Sequence, residues 1–200
     1  METMPGSEGI PPEGSDAGEE FTSLAGRLLV AMPGMLDPNF SRTVVLMVEH
    51  SQEGAVGLVL NRPTQADLLD HLPGWWSAAV NPRVVFVGGP VGEGGGIGLA
   101  RGAGSAPLEG WPEVLGVRAV DLESVPEPDS GLEARVFTGY SGWGPGQLES
   151  ELSSNGWFVV DALPDDVFTP APEQLWEEVL RRAGGRYAWF STYPADPRMN

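Results

Sequence analysis

Thr43-Val44-Val45-Leu46-Met47-Val48 and Ala55-Val56-Gly57-Leu58-Val59-Leu60 are two apolar, β-branched runs with Ser51-Gln52-Glu53-Gly54 between them as a turn. Runs this short and this rich in valine favour strands over helices, and the polar break makes them a hairpin. A chain built around it has a sheet at its centre, and further strand candidates fit that plan. Leu28-Leu29-Val30 precedes the breaker Met32-Pro33-Gly34. Residues 84–87 and 96–100 form a second pair joined by a glycine-rich turn, and 115–120, 135–138 and 157–160 follow.

Helices are fewer. Thr64 is placed to cap a short one carrying Leu68, Leu69 and Leu72 and ended by Pro73. The clearest runs from Pro172 to Ala183. It has proline at its start, Glu173, Glu177 and Glu178 early, Arg181 and Arg182 late, Gly184 as terminator, and an apolar stripe of Leu175, Trp176, Val179 and Leu180. A third starts after Gly139-Tyr140-Ser141-Gly142-Trp143. With Gly144 as cap, Pro145 takes the first helical position, Gln147 reaches back to the cap amide, and Trp143 meets Leu148 as a hydrophobic staple.

The elements read as one mixed α+β domain over residues 25–200, preceded by an acidic tail over 1–24. The first 20 residues hold six acids and no base among repeated Pro and Gly, a composition that cannot offset the entropy of ordering, so disorder is expected. The start lacks the basic and apolar pattern of a signal peptide and no stretch is long and apolar enough to span a bilayer, which makes a cytoplasmic protein the expectation.

Composition removes whole classes of chemistry. There is no cysteine, hence no disulfide, thiolate nucleophile or Cys-based metal site. All 11 basic residues are arginine, which removes Schiff-base lysines and the phosphate-binding loop that needs one. A formal charge of -17 disfavours direct nucleic-acid binding, because such binding draws its affinity from neutralising phosphates.

The remaining reactive groups are few. Ser141 follows Gly139 as in a nucleophile elbow, but position 143 is Trp where the motif needs Gly. His50 stands beside Glu49, yet adjacent strand residues face opposite ways, and His71 has no partner at ligand spacing, so neither a catalytic nor a metal assignment results. Gly88-Gly89-Pro90-Val91-Gly92 lacks the third glycine of a dinucleotide loop and leads to a strand, not a helix. Arg42 and Arg62 are guanidinium groups suited to a carboxylate or phosphate, or to an internal ion pair.

Taken together, these segments resemble the YqgE/AlgH family of bacterial proteins. The residues that carry the likeness are Leu28-Leu29-Val30-Ala31, Asp37-Pro38-Asn39-Phe40, Arg42-Thr43-Val44-Val45, Glu49-His50, Gly54 through Pro63, Phe86 through Val91, Gly139 through Trp143, Gly146 through Leu152, and Trp157. The resemblance implies a branched mixed sheet, part of it closed into a small barrel, surrounded by helices, and an association with transcriptional regulation. It carries over no catalytic residue, DNA contact, ligand or cofactor. Where many relatives have a histidine this chain has Ala100, and where they often have alanine it has Ser141.

The expectation for function is a non-enzymatic regulatory or binding protein recognising a small ligand or a protein partner, with no cofactor and no metal. Its proposed surface joins three strand exits: Asn61-Arg62-Pro63, the turn at Gly88, Gly89 and Pro90, and the turn bearing Tyr140, Gly142, Trp143 and Gln147. Arg42 and His50 complete the candidate set. The rival readings are an enzyme using His50 as acid or base, and a DNA-binding regulator.

Overall fold

The structure is a computed structural model and describes residues 21–103, 107–127 and 129–193. The expected tail therefore lies largely outside the described residues. Phe21 to Leu24, its last residues, lie against the tip of the central hairpin, where the Ser23 hydroxyl donates to the His50 carbonyl at 2.8 Å.

In chain order the elements are β1 (Arg27–Ala31), β2 (Val44–Ser51), β3 (Gly54–Val59), β4 (Pro63–Asp67), α1 (Leu68–His71), β5 (Val84–Val87), β6 (Val91–Arg101), β7 (Arg118–Val120), β8 (Glu133–Trp143), α2 (Gln147–Ser153), β9 (Trp157–Asp161), α3 (Pro164–Val167), α4 (Leu175–Ala183) and α5 (Gly185–Phe190). Single 3-10 turns lie at Pro73–Trp75, just after α1, and at Pro172–Gln174, directly before α4. No helix among the described residues is long and apolar enough to cross a membrane.

The strands form one sheet in the order β4-β5-β8-β3-β2-β1-β9, with β6 also on β8 and β7 beyond it. The fork is at β8. Its first half pairs with β5 in parallel and with β6 antiparallel, and its last residues, Ser141 to Trp143, pair with β3. Gly139 stands between the halves at φ 67, a conformation that favours glycine and turns the strand from one set of neighbours to the other.

The sheet is thus mixed and branched but does not close into the expected small barrel. Its last strands, β4, β7 and β9, each pair with one named strand only. Closure would need two of those edges to meet, and β7, three residues long, offers too little ladder.

The central hairpin is covered on both faces. Leu28, Val30, Val44, Leu46 and Val48 face a core roofed by α4, whose Trp176 indole donates to the Ala31 carbonyl at 2.9 Å. Leu29, Ala31, Val45, Met47 and Val59 face a second core under α2, with Trp143, Leu148 and Trp157. Trp75, Leu68 and Val136 belong to a third, between the first short helices and the β6–β8 branch.

All three expected helices shift at their starts, the one expected from Gly144 beginning as α2 at Gln147 with Gly146 as its cap. Thr64 sits in β4 and its hydroxyl donates to the Val85 carbonyl, while Asp67 caps α1 by accepting from the Leu69 amide at 2.8 Å. The clearest helix begins as a 3-10 turn at Pro172 and becomes α4 at Leu175, with Gly184 (φ 69) ending it as expected. Of the glycine-rich stretch after β5, Gly88, Gly89 and Pro90 connect β5 to β6 as expected, whereas Gly92 to Gly96 lie inside β6, which starts at Val91 and not at Gly96.

Candidate functional site

Asn61 is buried and bridges two segments. Its Oδ1 accepts from the Val44 amide at 2.9 Å and its Nδ2 donates to the Arg42 carbonyl at 2.8 Å, which pins residues 37–43 to the end of β3. That loop is internally braced, with Asp37 Oδ1 accepting from the Asn39 amide and the Thr43 hydroxyl donating to the Phe40 carbonyl. Arg62 then lies along it, one Nη2 donating to the carbonyls of Ser41 (2.7 Å) and Pro38 (3.4 Å).

Beside Arg62 is a cavity of about 260 Å³ whose other walls are Pro38, Asn39, Val59, Pro63, Val87, Gly89 and Pro90. Two of the three expected strand exits therefore meet. Among the described residues, Arg62 Nε and Nη1 have no acceptor and no carboxylate lies within ion-pair reach of the guanidinium. By contrast Arg27, Arg42, Arg101 and Arg182 are each paired with Asp or Glu. An arginine on backbone carbonyls keeps its full charge for a ligand. Asn39, Pro38 and Val87 were not singled out as site residues. The only sequence signal for the first two was their place in Asp37-Pro38-Asn39-Phe40.

Gly88 and Gly89 form the floor of this region by backbone contact. A Cβ on Gly88 would fall on the Gly139 carbonyl oxygen, and one on Gly89 would fall on the Tyr140 carbonyl. The Gly88 carbonyl accepts from the Val59 amide at 2.8 Å and from the Ser141 hydroxyl at 3.2 Å, and its amide donates to the Thr138 carbonyl. The polar groups of Gly88 are thus spent inside the fold. Ser141 is fully buried and donates to a carbonyl, which places it away from any nucleophilic role.

The third exit is directed elsewhere. Trp143, 5% exposed, joins Phe40 and Trp157 in an aromatic trio with ring centroids 5.3 to 6.2 Å apart. Its indole and that of Trp157 both donate to Glu151 Oε2, at 3.0 and 2.8 Å, and Gln147 Nε2 donates to Glu151 Oε1 at 3.0 Å. The Gly144 amide donates back to Gln147 Oε1 at 3.2 Å as expected, but α2 itself starts only at Gln147 with Gly146 (φ 71) as its N-cap, so Gly144 and Pro145 precede the helix instead of capping and opening it. Glu151 organises this end of the molecule, and the signal for it was its place four residues after Gln147 on one helix face. Tyr140 points to the opposite face and meets the Trp111 ring edge-on at 6.4 Å, with Gly142 exposed beside it.

His50 belongs to the hairpin tip. Its Nδ1 accepts from the Leu24 amide at 3.0 Å, which puts the ring proton on Nε2, and Nε2 donates to Glu149 Oε1 at 2.8 Å. The side chain is 3% exposed and both nitrogens are engaged. The Glu149 carboxyl is held below its ordinary value, first by its own backbone amide and then by His50, against the opposing effect of burial. His50 pairs across from Ala55 at the start of β3, whereas Arg62 follows its end, so the two do not share a cavity. Glu49, on the outer face, is not the partner.

Arg42 is also committed. At φ 55 it turns its guanidinium onto the Trp176 ring, 4.0 Å from the centroid, and donates to Glu177 at 2.8 Å and to the Tyr193 carbonyl at 2.9 Å. Another arginine not singled out, Arg135, is 2% exposed over the Phe86 ring. Its Nη2 donates to the Asn81 and Thr169 carbonyls, while Nε and Nη1 have no partner, and burial pulls its pKa down to about 10. Among the described residues no three His, Asp or Glu side chains gather as metal ligands would.

Comparison with known proteins matches this architecture to an existing group. UPF0301 proteins of Streptomyces avermitilis and Streptomyces coelicolor are 50% and 51% identical, each alignment covering 90% of this chain and 97% of the relative. A crystal structure from Corynebacterium diphtheriae superposes with a TM-score of 0.77 at 30% identity, covering 89% of this chain and 96% of that one. The solution structure of the AlgH protein from Pseudomonas aeruginosa gives 0.63 at 29% identity, over 92% and 98%. With the AlgH-like family model matching residues 28–188 as well, the chain belongs to the AlgH-like family.

Proposed function

We propose that this protein is a non-enzymatic, cytoplasmic binding module that takes a small ligand bearing a carboxylate or phosphate on an apolar body, in the cavity beside Arg62. The observation that carries the reading is the composition of that cavity. Its walls supply one arginine without a carboxylate partner, one amide at Asn39, and otherwise proline, valine and glycine. A cation in a largely apolar recess attracts an anionic head and shelters what is attached to it. No wall side chain exchanges a proton near neutral pH, which favours binding over catalysis. The enzyme alternative needs His50, whose two nitrogens already serve the fold. A regulatory effect would arise through the loop at 37–43, since the ligand would share Arg62 with the carbonyls of that loop. Direct contact with DNA is opposed by the charge of -17.

The test is calorimetric titration of the protein with inorganic phosphate, pyrophosphate and short-chain carboxylates, beside the Arg62→Gln variant. Wild type is expected to bind at least one of them, and the variant, folded by circular dichroism, to lose about tenfold or more in affinity, as for a lost charge-assisted bond. Absence of binding by wild type, or equal binding by the variant, refutes the reading.

A further inference from the structure

At one end of the sheet β9 pairs with β1 and with no other strand among the described residues. The ladder's alternation decides which of its backbone groups are free. The Met32 amide donates to the Gly156 carbonyl at 3.1 Å, and the register sets Val30 opposite Phe158 and Leu28 opposite Val160. In an antiparallel pair every second residue bonds toward the same neighbour, so Phe158 and Val160 bond to β1. Trp157, Val159 and Asp161 direct N–H and C=O away from the sheet. The Asp161 carbonyl accepts from Arg182 at 3.1 Å, and Val159 is the centre of what stays open.

Exposed edges are usually blunted by proline, bulges or lysine. Residues 157–161 have none of these and keep an unbroken register with β1. A groove runs along this edge instead, as two adjoining hollows of about 640 and 360 Å³ that both touch Val159 and Tyr187. The larger hollow is lined from both faces of the sheet, by α5, where Trp189 is 84% exposed, and by Tyr193 just beyond that helix, 41% exposed. Arg186 stands there over the Tyr187 ring, 5.1 Å from its centroid, with no carboxylate partner among the described residues.

We propose that the outer edge of β9 docks an extended peptide segment of a partner protein, which adds a strand at Val159, sets an apolar or aromatic side chain among Trp189, Phe190 and Tyr193, and places a carboxylate on Arg186. The occupant's form is dictated by the backbone groups. Donors and acceptors repeating along a strand are matched by another strand, with alternate side chains reading the groove on either face. Its charge is dictated by Arg186. A second copy of this chain fits less well, because antiparallel pairing about Val159 would set Trp157 opposite Asp161 and bring together two molecules of charge -17. This surface does not include Arg62, so the inference is independent of the ligand reading.

The probe is a displayed library of random heptapeptides selected on the full-length protein, followed by a fluorescent synthetic peptide of the enriched sequence. Expected are sequences with apolar or aromatic residues at alternate positions and at least one Asp or Glu, and slowed hydrogen exchange at the Val159 amide in the complex. Val159→Pro removes an outward amide, which edge strands tolerate, together with a half-buried valine side chain, and should weaken binding about tenfold or more. Arg186→Glu should reverse the preference from acidic to basic peptides, and Trp189→Ala should weaken binding with the fold untouched, since both side chains are exposed. Should Val159→Pro unfold the chain, these two variants decide alone. The proposal is overturned if wild type enriches nothing, if the variants bind as wild type does, or if sedimentation shows wild type to be a dimer that Val159→Pro separates, which would make the occupant a second copy.

Discussion

Gly88 and Gly142 are both glycines of the family-like segments, yet they answer to different physics. Beside Gly88 the neighbouring atoms are the backbone of Gly139 and the Leu58 side chain, and a main-chain carbonyl cannot move aside as a side chain can. At Gly142 the nearest atom to an added Cβ is a Tyr140 ring carbon at 3.5 Å, an ordinary contact. Gly88→Ala is therefore expected to cost about 3 kcal/mol or more, and Gly142→Ala less than about 0.5, in urea denaturation. Arg135 makes a second residue-level case. Its charge is buried with no carboxylate in ion-pair contact, Glu173 acting only through space, and with two nitrogens unsatisfied; burial pulls its pKa down to about 10, so the folded state disfavours the charged form. Arg135→Met, which removes the cation and keeps the volume, should change stability by no more than about 1 kcal/mol. Arg135→Ala leaves a void over Phe86 and should cost about 3 kcal/mol. Equal losses in the two variants would show that the hydrogen bonds to Asn81 and Thr169, and not the filled volume, are what Arg135 contributes.

At the scale of elements, α2 is held by two devices local in sequence, the Gly144–Gln147 hydrogen bond and the Glu151 carboxylate shared by two indoles, and by one long-range contact, that of Glu149 with His50. Glu149 has a depressed folded-state pKa, so its contribution to stability is complete above the ordinary carboxylate range and is lost as pH falls through the folded value. The melting temperature of wild type should fall more steeply than that of Glu149→Gln as pH drops from about 6 to about 3, the two curves converging at the acid end. Parallel curves would mean that the carboxyl is not preferentially charged in the folded state. Such local devices are also what a sequence discloses. The hairpin of β2 and β3, the stripe of α4, the glycine ending it and the return of Gln147 to the Gly144 amide all rest on neighbours a few residues apart. The fork at β8 rests on Gly57 meeting Ser141, more than eighty positions away, and no local pattern encodes that pairing. The cap of α1 was misplaced for a related reason: Thr64 and Asp67 are equally good cap residues, and the choice was made by β5, whose Val85 carbonyl takes the Thr64 hydroxyl. Of the candidate site, the meeting of the Arg62 and Gly89 segments was legible as two strand exits. The diversion of Trp143 and Gln147 to Glu151, and of Arg42 to Trp176 and Glu177, depended on helices whose positions only the fold sets.

For the whole molecule, 28 acidic against 11 basic residues means that most carboxylates have no cation to pair with. The arginine pairs that do form are mostly at the surface, where each contributes about 0 to 1 kcal/mol and is weakened by salt. Two effects of ionic strength therefore oppose each other. Screening weakens a handful of pairs, and it relieves the mutual repulsion of carboxylates that outnumber arginines by 22 to 11 from residue 21 onward. The excess is larger than the number of pairs, and its repulsion acts between charges many ångströms apart, which is the range that salt screens most completely. Stability should accordingly rise with salt, by about 1 kcal/mol or about 3 °C in melting temperature between roughly 20 and 500 mM sodium chloride. A chloride site at Arg62 would imitate that result in wild type, so the scan belongs beside the same scan on Arg62→Gln. An equal rise in both assigns the effect to the diffuse field, a rise confined to wild type assigns it to anion binding at Arg62, and a fall in both would show that the arginine pairs outweigh the repulsion.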